Sequence, residues 1–222
     1  MVKDTIKQEQ NYTIRNERIE DFREVEELTR KAFWNLHAPG CDEHYLVHIM
    51  RKHEDFIPEL DFVLELDNRI VGNIMYTKSW LKSNDGEKKE ILTFGPLSIL
   101  PEYQRKGYGK ALLDFSFKKA LEMGYSAIVI FGNPGNYVSS GFKSCHKYNV
   151  HLENNIYPTA MLVLELIEGS LSGKDWVYKE SSVYCVNEHD AVEFDKLFEY
   201  MPKEYHTRHE EFYIYSHSQI ID

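Results

Sequence analysis

Apolar positions along this chain recur with two different periods, and the places where one period gives way to the other mark its elements. Residues 12–15 read as a first strand, and over residues 19–33 Phe22, Val25, Leu28 and Ala32 return on one face of a helix. The stretch 34–59 is less regular. It holds a short predicted helix over residues 42–52 that buries Tyr45, Leu46, Ile49 and Met50 and leaves His44 and His48 outward. Residues 62–66, the turn Asp67-Asn68 and residues 70–81 make a hairpin, and the turn Ser83-Asn84-Asp85-Gly86 leads into a strand over 90–100. An amphipathic helix over 110–123, a buried strand over 126–131 and a late strand over 161–166 follow. The order is strand, helices, three antiparallel strands, helix, strand, which predicts a mixed α/β layered sandwich.

The run Glu168-Gly169-Ser170-Leu171-Ser172-Gly173 reads as a turn or linker, dividing the chain into a main domain, 1–168, and a small α+β extension, 169–222. The extension is predicted to hold a strand over 177–186, a helix over 190–200 and a stop at Pro202. Trp176, Phe194, Phe198, Phe212 and Tyr213 predict that it packs on the core or on a second subunit, and the sequence leaves both open.

Chemistry concentrates at Gln104-Arg105-Lys106-Gly107-Tyr108-Gly109, between the strand ending at Leu100-Pro101 and the helix that follows. A strand, a tight turn and a helix start leave several main-chain N–H groups unpaired at the positive end of a helix dipole, where phosphate oxygens bind. Gly107 can take a conformation closed to other residues, and Gly109 lets a pyrophosphate approach the main chain. Two better-known phosphate loops do not fit. A nucleotide-triphosphate loop ending at Gly109-Lys110 needs Gly in place of Gln104 and Ser or Thr in place of Ala111. A dinucleotide fingerprint needs a third glycine at Leu112 and an acidic residue after the next strand, where Gly132-Asn133-Pro134-Gly135 stands.

What remains is Gln/Arg-x-x-Gly-x-Gly/Ala. With Leu97-Ser98-Ile99-Leu100-Pro101-Glu102-Tyr103 before it, Ala111-Leu112-Leu113 and Ala127-Ile128-Val129-Ile130 after it, and Asn136-Tyr137-Val138-Ser139-Ser140-Gly141-Phe142 closing the run, the segment resembles the GNAT superfamily of N-acetyltransferases. The resemblance implies a GNAT-like central sheet with two splayed strands flanked by helices, and acetyl-CoA as cosubstrate. Its pyrophosphate is then expected on Gln104, Arg105, Lys106, Gly107, Tyr108, Gly109 and Lys110. Its pantetheine arm is expected along the free main chain of Leu97, Ser98 and Ile99, with Gly95-Pro96 marking the parting of strands. Asn133 and Asn136 are candidates for further cofactor contacts, although turn chemistry explains them equally well.

Tyr137 stands where many members of that family carry a tyrosine that protonates the leaving sulfur; its ordinary pKa of about 10 lies above the roughly 8.5 of a thiol. The plainer alternative is a buried tyrosine at a helix start. Where histone-modifying members keep a glutamate base this chain has Thr93, which cannot do that work. Glu90 lies on the opposite sheet face, Glu65 and Tyr76 are conceivable substitutes, and no base is assigned. Cys41, His44 and His48 have metal-like spacing but no evident fourth ligand, so no metal is expected.

Composition adjusts this picture only slightly. The 222 residues, 42% hydrophobic and 28% charged, describe an ordinary globular chain. A net charge of −10 excludes nucleic acid as a natural partner and favours a cationic amine. Against it, Arg105, Lys106 and Lys110 form a local basic cluster. Cys41, Cys145 and Cys185 fit a reducing compartment. Residues 1–7 carry no apolar leader and nothing approaches the ~18 apolar residues of a membrane span, so a soluble, cytoplasmic protein is expected, with a homodimer left open. The sequence therefore implies transfer of an acetyl group to a primary amine; the alternative is a coenzyme A-binding sensor or assembly module without turnover.

Overall fold

The structure, a computed structural model, describes residues 12–221; residues 1–7, read above for a leader, lie outside them. The chain enters as β1 (Tyr12–Asn16) and passes through α1 (Phe22–Phe33) and α2 (Glu43–Met50) to the hairpin of β2 (Phe62–Leu66) and β3 (Arg69–Ser83). Asp67 and Asn68 take φ of 51° and 61°, as a two-residue hairpin loop requires and short Asp and Asn side chains tolerate. β4 (Lys88–Ile99) returns along β3 and leads to α3 (Tyr108–Glu122), β5 (Ala127–Phe131) and the short α4 (Pro134–Tyr137). Brief strands β6 (Lys143–Ser144), β7 (Val150–His151) and β8 (Tyr157–Pro158) precede β9 (Met161–Glu165). β10 (Trp176–Lys179), α5 (Glu188–Asp195), α6 (Thr207–Ser216) and β11 (Gln219–Ile220) complete the described chain.

The main sheet runs β1-β2-β3-β4-β5-β9-β6, and along that path only β4 and β5 are parallel neighbours. This is the mixed, helix-flanked sheet that the sequence predicts. β3 is long enough to pair twice along one edge, with β2 at its start and with β10 at Trp80–Ser83. Strand alternation then assigns the two faces. Tyr76 and Phe94, opposite one another, turn toward α3, where the Tyr76 hydroxyl meets Ser116 Oγ at 2.7 Å. Thr77 and Thr93 turn the other way, to the face covered by α1 and α2, where Ser98 Oγ donates to Thr29 Oγ1 at 3.0 Å. Val25, Leu28, Val47 and Met50 fill that side, and Leu112 packs beneath the opposite one. Among the described residues no helix is long and apolar enough to cross a membrane.

Residues past 168 lie on this core. Trp176 is 1% exposed and its indole N–H donates to Leu171 O at 3.0 Å. The predicted strand over 177–186 stops at Lys179, because Ser181 caps a tight turn at Ser182–Tyr184 by accepting from Val183 N at 3.3 Å. The predicted helix over 190–200 is Glu188–Asp195; Asn187 Oδ1 accepts from Asp190 N at 3.1 Å and starts it early. α6 has no counterpart in the sequence reading, since its aromatic and acidic residues form no clean apolar stripe.

A further correction concerns α2, whose periodicity predicts an outward His44. The structure buries His44 completely, because α5 covers that side of α2 and supplies Phe194 and Phe198 at ring distances of 5.6 and 5.0 Å. His44 Nε2 lies 3.2 Å from Asp195 Oδ1 without the alignment of a hydrogen bond, and Arg30 Nε donates to the same oxygen at 2.7 Å. Burial pulls His44 from 6.5 down to about 4, against the pull of Asp195. A histidine with a depressed folded pKa contributes stability that is fully present above its unfolded value and lost as pH falls through the folded one. Urea unfolding should therefore lose about 3 kcal/mol as pH falls from 6.5 to about 4 through this group alone. His44→Gln should flatten that part of the pH dependence; an unchanged slope would show that the imidazole titrates freely.

Candidate active site

β4 and β5 share one register pair, Leu92 with Ile128, although β4 continues to Ile99 and β5 to Phe131. The strands part where Gly95-Pro96 shifts the β3/β4 register, between Ile74 and Tyr76. Proline has no N–H to add to a ladder, and a bulge bends the strand that carries it. Leu100 N donates to Val71 O at 3.0 Å, so alternation in the antiparallel ladder turns the main chain of Ser98 toward β3 as well. The main chains of Leu97 and Ile99 consequently face the parting, where Ile99 O accepts from Gln104 Nε2 at 3.0 Å. Ser98 departs from the expectation of a free main chain: it sits opposite Asn73 and its hydroxyl is engaged by Thr29.

The loop beyond β4 opens at the mouth of this gap. Arg105 and Gly107 take φ of 58° and 93°, a rare setting for arginine that lines up successive N–H groups as an anion-binding concavity. Gly107 is the N-cap residue of α3 and offers no side-chain cap, so the first-turn N–H groups have no such acceptor. A Cβ on Gly107 would meet nothing within 4 Å, and one on Gly109 only Ile99 Cγ1 at 3.8 Å. The protein's own packing therefore does not demand a glycine at 109, whereas close approach of a ligand would. Gln104, Arg105, Lys106 and Lys110 are exposed around this opening; Lys106 lies 5.3 Å over the Tyr103 ring and Lys110 pairs with Asp114 at 2.8 Å. Tyr108 is different in kind. Its side chain is buried edge-on to Tyr12 and Tyr103, anchoring the helix while its main chain stays in the turn.

Because β4 and β5 run parallel, the loop after β5 opens at the same end of the sheet. Asn133 Oδ1 accepts from Gly135 N at 2.9 Å, which starts α4 and commits that oxygen to turn chemistry; Asn136 is exposed. α4 delivers Tyr137, whose ring packs on Phe94 and Phe142 at 5.7 and 5.8 Å, on the α3 side of the sheet. Burial, with Tyr215 nearby, pushes its hydroxyl up to about 12. Among the described residues that hydroxyl has no hydrogen-bond partner. The ring occupies the space a side chain would need at Gly132: a Cβ there would stand 2.6 Å from Tyr137 Cε2. Gly132 went unnoticed in the sequence because its requirement is space rather than a turn.

The opposite wall comes from the extension. Thr93 Oγ1 accepts from Ser79 Oγ at 2.8 Å and bonds the Tyr178 hydroxyl at 2.6 Å. The Tyr178 ring also lies 6.2 Å from Phe131, so it bridges β4 and β5. Tyr184 accepts from Thr77 Oγ1 at 3.3 Å and donates to Gly95 O at 3.4 Å, at the bulge itself. Burial raises both phenols above their ordinary range, and the nearby Glu180 carboxylate raises them further. The sequence reading did not bring these residues to the site; the alternation of Trp176, Tyr178 and Glu180 was the available signal. The substitutes considered for a base lie elsewhere. Glu65 accepts from Arg15 at 3.0 Å, Glu90 accepts from Tyr125 at 3.2 Å, and Tyr76 is buried against Ser116 with its hydroxyl pushed up. Of the residues with metal-like spacing, Cys41 Sγ lies 3.5 Å from His44 Nδ1, while His48 turns to Glu26 at 2.9 Å.

Comparison with known proteins agrees with this fold. Residues 19–142 match the sequence model of the acetyltransferase (GNAT) family. The chain is 29% identical over 126 residues to the uncharacterized N-acetyltransferase YjhQ of Escherichia coli, a match spanning 56% of this chain and 64% of the relative, just under two thirds of its length. It is 29% identical over 128 residues to an N-alpha-acetyltransferase of Sulfurisphaera tokodaii, covering 56% of this chain and 71% of that one. Among solved structures, the GNAT family N-acetyltransferase YhbS of Escherichia coli in complex with CoA superposes with a TM-score of 0.68 at 22% identity, covering 79% of this chain and 92% of that one. A GNAT family acetyltransferase from Brucella melitensis in complex with acetyl-CoA gives 0.60 at 21% identity, covering 79% and 99%.

Gly132→Ala should cost about 1–3 kcal/mol in urea unfolding, the range for overpacking, because the new methyl must displace the Tyr137 ring. In a double variant with Tyr137→Ala the two costs should fall short of additivity by at least about 0.5 kcal/mol. Additive costs would show that the ring does not fill that space.

Proposed function

The chain belongs to the acetyltransferase (GNAT) family, and on that premise we propose that it moves the acetyl group of acetyl-CoA to a primary amine, on a small molecule or a protein, by direct attack in a ternary complex. The observation that carries this reading is the parting of β4 from β5 with an uncapped, glycine-bearing loop at its mouth. Main-chain N–H groups from residues 105–110 suit a pyrophosphate, with Arg105, Lys106 and Lys110 adding positive charge. The main chains of Leu97 and Ile99 suit the amides of a pantetheine arm, which pairs as an added strand would. The two solved relatives that hold CoA and acetyl-CoA support the same assignment.

Acetyl-CoA supplies an activated thioester; the chain supplies orientation and proton control. The Leu97 N–H suits the oxygen that gains charge as the amine attacks. Tyr137 suits protonation of the departing sulfur. With its pKa at about 12 it stays protonated at any working pH, and the apolar surroundings that raise it also raise the thiol, which narrows the gap between the two. Cys41 and Cys145 are kept as thiols by burial, which supports direct attack over an acyl-cysteine route. We take residues 1–168 as the acetyltransferase unit and 169–222 as an extension that completes its acceptor side.

Gly107→Glu should abolish acetyl-CoA binding in isothermal titration calorimetry, since a carboxylate would then face the pyrophosphate; wild-type affinity in this variant sinks the reading. Tyr137→Phe should lower kcat by about 10²-fold, typical of losing a general acid, and leave acetyl-CoA affinity within about twofold. Unchanged turnover would remove Tyr137 from the chemistry. Saturable binding without transfer to any amine would identify a coenzyme A-binding sensor instead.

A further inference from the structure

We propose that Glu180 is the general base of this transfer, a carboxylate carried to the acceptor side of the strand parting by the C-terminal extension and suited to an acceptor that arrives as an ammonium ion. The inference rests on the acetyl-transfer reading above.

Position is the first argument. The Tyr178 hydroxyl is fixed at Thr93 Oγ1 and the Tyr184 hydroxyl at Gly95 O, so the segment holding Glu180 is pinned on both sides to the stretch of β4 where the strands part. Tyr178 stands opposite Leu81, on the face of Thr77 and Thr93, and Glu180 follows directly after β10, just before the Ser182–Tyr184 turn that packs on α2. The carboxylate is near enough to both phenols to raise them. Behind it, Ser181 Oγ donates to Asp55 Oδ2 at 2.7 Å, and that oxygen lies 3.6 Å from His53 Nδ1. The titratable groups facing Glu180 are Tyr178 and Tyr184, and Asp55 and His53 lie against the adjacent Ser181.

The second argument is that Glu180 is only half-exposed and, among the described residues, has neither an ion pair nor a hydrogen bond. Several carboxylates near cations pair with them: Asp85 and Glu87 share Lys174, Glu102 holds Arg69, and Asp114 holds Lys110. A partly buried carboxylate with no cation costs stability and is expected where something outside the chain uses it. Burial alone raises its pKa, which brings it closer to a working pH, as a base needs.

The third argument is the division of labour. Tyr137 stands on the α3 side with Phe94, and the segment that carries Glu180 is held on the other side, through Tyr178 at Thr93 and the Ser182–Tyr184 turn on α2, so acid and base reach the parting from opposite faces. An ammonium acceptor gives one proton to Glu180 and becomes a neutral amine. Its nitrogen then bonds to the thioester carbonyl carbon, the carbon–sulfur bond breaks, and the sulfur takes the proton of Tyr137. The second proton shed by the nitrogen restores Tyr137, and Glu180 returns the first to solvent. The sum is amine acetylation, a free thiol and one proton released.

The test uses full-length protein with acetyl-CoA and, in separate arms, spermidine and a peptide with a free N-terminal amine. With whichever is acetylated, Glu180→Gln should lower kcat/KM at least about 10²-fold while leaving acetyl-CoA affinity unchanged and the melting temperature no lower than that of the wild type. The acidic limb of the kcat/KM profile should vanish in that variant and return, with part of the activity, in Glu180→Asp. Transfer by Glu180→Gln at the wild-type rate with the wild-type pH profile overturns the inference and leaves acetyl transfer standing. Absence of transfer by the wild-type protein in both arms takes the inference down with the reading it rests on.

Discussion

The separation of β4 from β5 is the constraint around which this molecule is organised. A sheet rarely gives up a ladder in its middle, because main-chain groups left dry and unpaired cost about 1–3 kcal/mol each. Here each strand keeps a complete ladder on its far side. β4 is held by β3 over most of its length, and β5 is held by β9 at five consecutive register pairs, Ala127 with Glu165 through Phe131 with Met161. The gap can therefore exist without loosening the core, and the amides of Leu97 and Ile99 remain available on a rigid rail rather than a mobile loop. Rigidity matters to an acyl transfer, where a small misplacement of the reacting carbonyl is expensive.

Around that gap the charge of the protein is deliberately uneven. The chain carries −10 overall, yet Arg105, Lys106 and Lys110 cluster at the loop that suits a polyphosphate. A net negative charge of this size favours approach of a cation such as an ammonium ion. The loop flank of the parting is assembled from contiguous sequence around residues 97–110. The other is assembled from Thr93, Tyr178, Glu180 and Tyr184, which a linear reading keeps far apart.

That difference explains what was legible. The loop announces itself because its glycines, its flanking strand and its helix are neighbours in sequence, and the positive φ of Gly107 confirms a locally encoded demand. The order of elements along the chain is equally readable, because hairpin turns such as Asp67-Asn68 are local too. Three features were not. Ser98 alternates away from the gap, which only the β3/β4 register reveals; His44 is buried by a helix about 150 residues downstream. Gly132 is required by a ring five residues later in sequence but across a turn in space. In each case the deciding partner is distant in the chain or absent as a side chain, so no periodicity records it.

The dual pairing of β3 carries a consequence for biosynthesis. Its Trp80–Ser83 edge leaves the ribosome well before β10, its eventual mate at Trp176–Lys179, has been translated. During that interval the nascent polypeptide exposes an open β-edge bearing Trp80 and Leu81, the kind of surface that invites pairing with other chains. Lys78 and Lys82 lie on that same strand, and charges there discourage such pairing until β10 arrives to close the edge.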